Sequence, residues 1–115
     1  MSTETAYIDD GYTFDTKVPR QAGVHPEVSV SYRPATFDER NRYLKASADP
    51  ERRASAAADL VVAHVKEWGI ATVKGPVPVS KDAAKRVQPT LLDKIIDLIL
   101  GYAGSAEDET DRKNS

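Results

Sequence analysis

The chain has no cysteine and only two histidines, His25 and His64, among its 115 residues. Without thiols it can hold neither a disulfide framework nor a thiolate metal or redox site. Zinc takes three or four protein ligands, and His64 has only Glu67 at helical spacing, so no metal is expected. Long apolar runs are missing as well. The most apolar stretch, 91–100, is interrupted by Asp93, Lys94 and Asp97. It falls far short of the ~20 residues that cross a bilayer. The opening Met-Ser-Thr-Glu-Thr carries acid and no basic segment, so no secretory signal is expected there. Nor does one sign of charge dominate: 16 Lys+Arg stand against 18 Asp+Glu, a net charge of −2. Nucleic-acid binders usually carry a basic domain or stripe, so that role ranks low.

What is present is a modest core. Leu, Ile, Val and Phe total 24 residues (6 Leu, 5 Ile, 11 Val, 2 Phe), roughly a fifth of the chain and close to the boundary of disorder. The polarity is concentrated at the ends. One domain is expected, made of an extended arm with a hairpin (1–35), a helical core (36–103) and a disordered acidic tail (104–115).

In the arm, Asp10-Gly11 separates two short aromatic runs, 7–9 and 12–15. Asp-Gly suits a type I′ turn, whose central residues both take positive φ, so a small hairpin is predicted there. A calcium loop would need further oxygen ligands and a closing Glu, which the spacing lacks. Val28-Ser29-Val30-Ser31-Tyr32 alternates with period two and predicts a half-buried strand, ended by Arg33-Pro34. Thr36-Phe37-Asp38-Glu39 is a capping box. It opens a helix over 37–46 with Phe37, Tyr43 and Leu44 turned inward. Asp49-Pro50-Glu51 reads as a second helix start. Ala54, Ala58, Val61, Val65 and Trp68 then recur at steps of three and four, predicting one helix over 50–68 closed by Gly69. Trp68 is expected between the 37–46 and 89–100 helices. Residues 70–73 suggest a short strand, Ser80 caps a helix over 81–87, and Pro89 starts a last helix, Pro89–Leu100, stopped by Gly101. The fold class is therefore α+β and predominantly helical, a small N-terminal hairpin or strand followed by a compact helical bundle.

Catalytic patterns are missing. There is no strained Ser turn and no Gly-rich phosphate loop. His25 and His64 read as surface or half-buried side chains, and the basic pairs Arg40/Arg42 and Arg52/Arg53 are offset by Asp38, Glu39, Asp49 and Glu51. No enzyme and no cofactor are expected. The last helix stands out instead. Seven large aliphatics in ten residues give it an apolar face wider than the ~100° that one-sided packing needs. It is either central to the core or partly an interface, and Leu92, Ile96 and Ile99, which share one face, are the candidate partner-binding residues.

The run Val28-Ser29-Val30-Ser31-Tyr32-Arg33-Pro34-Ala35-Thr36, then Ala63-His64-Val65-Lys66-Glu67-Trp68, then Pro78-Val79-Ser80 and Pro89-Thr90-Leu91-Leu92 resembles the tail assembly chaperones of long-tailed bacteriophages and prophages. Asp9-Asp10-Gly11-Tyr12 and Gly23-Val24-His25-Pro26 look similar to such proteins too, so that the likeness spans 7–102. It implies a small, helix-rich, non-enzymatic protein in the cytoplasm of a bacterial host, binding the tape measure protein or tail subunits, with a homo-oligomer as a further possibility and neither nucleic acid nor membrane as a partner. The alternative is a structural phage component, a head–tail connector or tail subunit. A small nucleic-acid-binding regulator ranks last.

Overall fold

The computed structural model describes residues 4–102. The disordered tail expected over 104–115 lies outside the described residues. The chain runs β1 (Phe14–Val18), β2 (Val28–Tyr32), α1 (Phe37–Ser47), α2 (Arg53–His64), β3 (Val65–Trp68), β4 (Ala71–Thr72), β5 (Gly75–Pro76), α3 (Lys81–Arg86) and α4 (Pro89–Leu100). β1, β2 and β3 form an antiparallel sheet with β2 central, and β4 and β5 form a separate two-stranded hairpin.

Alternation makes the sheet. Val28, Val30 and Tyr32 face inward while Ser29 is exposed. On β1, Phe14, Thr16 and Val18 face the same way, with Phe14 stacked on its cross-strand partner Tyr32. Burial pushes the Tyr32 hydroxyl up to about 12, with Tyr12 adding to the rise. Against this inner face lie α2 and α4, and the core contains Val18, Val28, Val30, Val61, Leu91, Ile95 and Ile99. The alanines of α2 keep its profile low: Ala57 and Ala58 are buried, and α3, with its own buried Ala84, packs closely on it.

Several sequence expectations need correction. The domain is not predominantly helical and not a helical bundle: among the described residues, a three-stranded sheet is joined by four helices, of which α2 and α4 meet the sheet and α1 and α3 pack on α2. The segment read as an extended arm supplies two of that sheet's three strands. Asp10-Gly11 does turn the chain, and the Tyr12 N–H donates to the Asp9 carbonyl at 3.1 Å. Only Gly11 has positive φ there, so the turn is not type I′. β1 pairs with β2 instead of 7–9, through a longer connection in which Gln21 bridges His25 and Gly23 takes φ +77°.

The helix expected over 50–68 is cut at both ends. Asp49–Arg52 is a turn, with the Asp49 carboxylate accepting from the Glu51 N–H at 3.0 Å. At the other end His64 closes α2 and Val65 begins β3. Tyr32 pairs with Val65 and Ser31 with Glu67, so Lys66 is an extra residue bulged from the ladder. The bulge lets Val65 and Trp68 both turn toward the core three residues apart, a spacing that reads as helix in the sequence. Trp68 sits opposite Val30, half-buried on the sheet and not between helices, and its ring N–H donates to the Val77 carbonyl at 2.6 Å. Gly69 is no helix cap; its N–H extends the ladder to the Ser29 carbonyl at 2.8 Å. Phe37 and Leu44 point outward, Phe37 being 68% exposed, and only Tyr43 of that expected trio packs against the core.

The caps follow the sequence more closely. Both capping-box bonds form at Thr36 and Glu39, Ser80 caps α3, and Gly101 ends α4 at φ +82°. Gln88 adds a cap not foreseen, its side-chain oxygen accepting from the Thr90 and Leu91 N–H groups.

Candidate functional site

The segment between β2 and α1 is tied down by backbone bonds. The Arg33 N–H donates to the His64 carbonyl at 2.8 Å, and the Ala35 N–H donates to the Ile99 carbonyl at 2.9 Å. These bonds bring the ends of β2, α2 and α4 to the N-terminus of α1, and charged side chains meet there. Arg33 grips Glu39 through both guanidinium nitrogens, Nη1 to Oε1 at 3.0 Å and Nη2 to Oε2 at 2.6 Å. Oε1 also accepts from the Thr36 N–H at 2.9 Å. The Arg33 guanidinium holds the Glu39 carboxyl down at about 2, with the Thr36 bonds adding to the effect and burial opposing it.

His64 lies behind this pair and is 4% exposed. Burial lowers its pKa from the ordinary value, and Arg33 pushes the same way, although the backbone bond and Glu39 oppose them. The ring is therefore neutral. Nδ1 donates to the Arg33 carbonyl at 2.8 Å, which leaves Nε2 facing Glu39 Oε2 at 3.8 Å as a contact and not an ion pair. The surface or half-buried placement expected for both histidines is overturned, because His25 is buried as well. The His25 Nδ1 meets the Pro26 carbonyl at 2.8 Å, and its Nε2 meets Lys94 Nζ at 2.9 Å. Each histidine is satisfied by a backbone carbonyl on Nδ1, a pairing that no spacing in the sequence announces.

An open groove of about 420 Å³ runs from His64 and Glu39 along the space between α1 and α2. Tyr43 and Ala46 form one wall; Ala56, Leu60 and Ala63 form the other; Arg42 and Asp59 stand at the rim. Ala46, Ala56 and Ala63 put small side chains on both walls, which leaves room between α1 and α2. The lining joins an apolar floor to a few polar groups, the usual composition of a binding surface.

The candidate partner residues of α4 fall elsewhere. Ile99 is fully buried and Ile96 is 7% exposed, while Leu92 is half-buried at the core's edge. The face read as an interface is thus the inner face of α4. Among the described residues no three His, Asp or Glu converge as a metal would need, and no buried side-chain nitrogen or oxygen lacks a partner. Among the same residues, no helix is long and apolar enough to cross a membrane. Comparison of the chain with protein-family models, with curated proteins and with solved structures gives no match.

Proposed function

We propose that this protein is a non-enzymatic, phage-type tail assembly chaperone that binds the tape measure protein, or tail subunits, in the cytoplasm of a bacterial host. The observation that carries the proposal is the open groove between α1 and α2, apolar along its floor and charged at its rim. A holdase for an apolar helical client needs such a surface on a charged, soluble exterior. The ordered motifs from Val28 to Leu92 that resemble this family supply the class of client. The contact moves from the α4 face, where Ile96 and Ile99 are buried, to the groove. Glu39, Arg33 and His64 act as supports for α1, their hydrogen bonds being spent on one another and on the backbone.

The alternative, a structural phage component such as a head–tail connector or tail subunit, is favoured by β1 standing at the edge of the sheet, where a strand from a neighbouring copy would extend it.

Co-expression with a tape measure protein tests the proposal. The wild-type chain is expected to form a complex. Ala63→Glu, at an exposed groove position, should abolish the complex with the melting temperature nearly unchanged. Absence of a wild-type complex refutes the chaperone. A stable ring or tube of the chain alone would favour the structural component.

A further inference from the structure

We infer that α1 is a hinged strap that swings away from α2 as a unit, held shut chiefly by the clasp between Arg33 and Glu39. Three independent observations converge on this. First, α1 buries none of its eleven residues, and it leaves Phe37 and Leu44 facing outward. A helix of this length is marginal in water by itself and normally depends on a buried face, so the partial burial of Tyr43 leaves much of the hold on α1 to polar contacts.

Second, the polar contacts of α1 with the rest of the domain gather at its N-terminal turn. Glu39 receives both Arg33 bonds and the Thr36 N–H. Arg40, lying between the rings of Phe37 and Tyr102, reaches the Leu100 carbonyl only at 3.5 Å. Farther along, Tyr43 is partly buried against the core, and Arg53 donates to the Ser47 carbonyl at the exposed far end.

Third, the ends offer pivots. Ala35 is fixed to Ile99 immediately before the helix begins. At the other end, residues 48–52 form exposed turns held by local bonds, among them the Arg52 N–H to the Asp49 carbonyl and the Glu51 N–H to the Asp49 carboxylate. Between these ends lies the loosely filled groove.

The groove's size gives the motion a purpose. A helix with side chains is about 10–12 Å across and rises about 5.4 Å per turn, so a single turn fills roughly 400–600 Å³. The present groove, about 420 Å³, would enclose about one such turn, and swinging α1 outward would deepen and lengthen the surface offered to a client. This use of the strap rests on the function proposed above, whereas the opening itself is a property of the free protein.

Amide hydrogen exchange on the free, full-length chain tests the opening, because exchange reports local opening separately from global unfolding. Amides 41–47 of α1 are expected to exchange faster than amides 95–100 of α4 and those of β2. Glu39→Gln keeps an oxygen for the Thr36 N–H but removes the charge. It should accelerate 41–47 by on the order of tenfold to a hundredfold, the range for a charge-assisted hydrogen bond, and leave α4 and β2 unchanged. Should that variant not fold, Arg33→Lys, which keeps the charge and loses the fork, must give the same selective acceleration. Equal wild-type rates in α1 and α4, no acceleration in the variant, or acceleration of all elements together would each overturn the strap. None of these readouts involves a client, so failure of the chaperone proposal leaves the result standing.

Discussion

Arg33 and Glu39, six residues apart, are joined by two hydrogen bonds, at 3.0 and 2.6 Å, across the start of α1. The same carboxylate closes the capping box on Thr36. One side chain therefore ends the strand-to-helix connection, caps the helix and fixes it to the domain. His64, neutral and buried, backs the pair. The consequences of this arrangement are measurable.

Acid should weaken the fold in two stages. His64 has its pKa lowered below the ordinary 6.5 by burial, so the unfolded chain takes up this proton first. Stability from His64 is complete above about 6.5 and declines as pH falls toward the lowered folded value. Glu39 is held at about 2 against an ordinary 4.5. Its contribution is complete above 4.5 and is lost as pH falls toward 2. Denaturant titrations at pH 7.5, 5.5 and 3 should show both declines, and Glu39→Gln should selectively flatten the lower one. An unchanged lower stage in that variant would show that Glu39 is not its source.

Ile96→Asp should unfold the domain. The side chain is inside the core, and an unpaired buried charge costs several kcal/mol against a typical total of ~5–15 kcal/mol. Leu92→Asp, at the half-buried edge, should cost less. Circular dichroism melts distinguish them. A near-native melting temperature for Ile96→Asp would place α4 wrongly.

Gly69 and Ser29 predict a coupled pair. A Cβ at Gly69 would stand 2.6 Å from Ser29 Oγ, while the Ser29 N and Cβ lie at 3.5 and 3.7 Å. Gly69→Ala should therefore destabilise the wild type but be nearly neutral beside Ser29→Ala. Because the clashing atom is the end of a rotatable side chain, a coupling at the low end of the about 0.5–3 kcal/mol typical of residues in contact is expected from the double-mutant cycle. Additivity would mean that the Ser29 hydroxyl turns aside without cost.

How much of this was legible beforehand depended on whether the signal was local. The capping box at Thr36, the Ser80 cap, and α4 from Pro89 to Gly101 rest on residues within a turn of one another, and each forms as read. The β3 strand was hidden because the bulge at Lys66 converts period two into a spacing of three between Val65 and Trp68, which continues the stripe of α2 without a break. β1 pairs with Val28–Tyr32, whereas in the sequence Asp10-Gly11 offers a nearer partner. For the site, Glu39 was visible as a cap, but its partner Arg33 and the backing His64 are brought in by the fold. The broad apolar face of α4 leaves core and interface both open in the sequence; in the fold Ile96 and Ile99 are buried and Leu92 is half-buried at the core's edge.

The last expectation concerns Lys94, placed by α4 over the β1–β2 connection. Its ammonium donates to His25 Nε2 at 2.9 Å and to Gln21 Oε1 at 2.7 Å, while His25 Nδ1 meets the Pro26 carbonyl. Gln21 and His25 also form the bridge that closes this connection. With its proton on Nδ1, the buried ring needs a donor at Nε2, and Lys94 is that donor. Lys94→Met keeps the apolar stem but orphans a buried acceptor, a loss of about 1–3 kcal/mol. Lys94→Arg should recover much of it by restoring a donor. Lys17→Met is the contrasting surface change. Lys17 meets Glu27 only at 3.8 Å with both side chains mostly exposed, and exposed pairs contribute ~0–1 kcal/mol. Chemical denaturation of the three variants at one pH should rank Lys94→Met well below the others. Equal stability of Lys94→Met and Lys17→Met would show that His25 finds another partner and that α4 does not hold this connection in place.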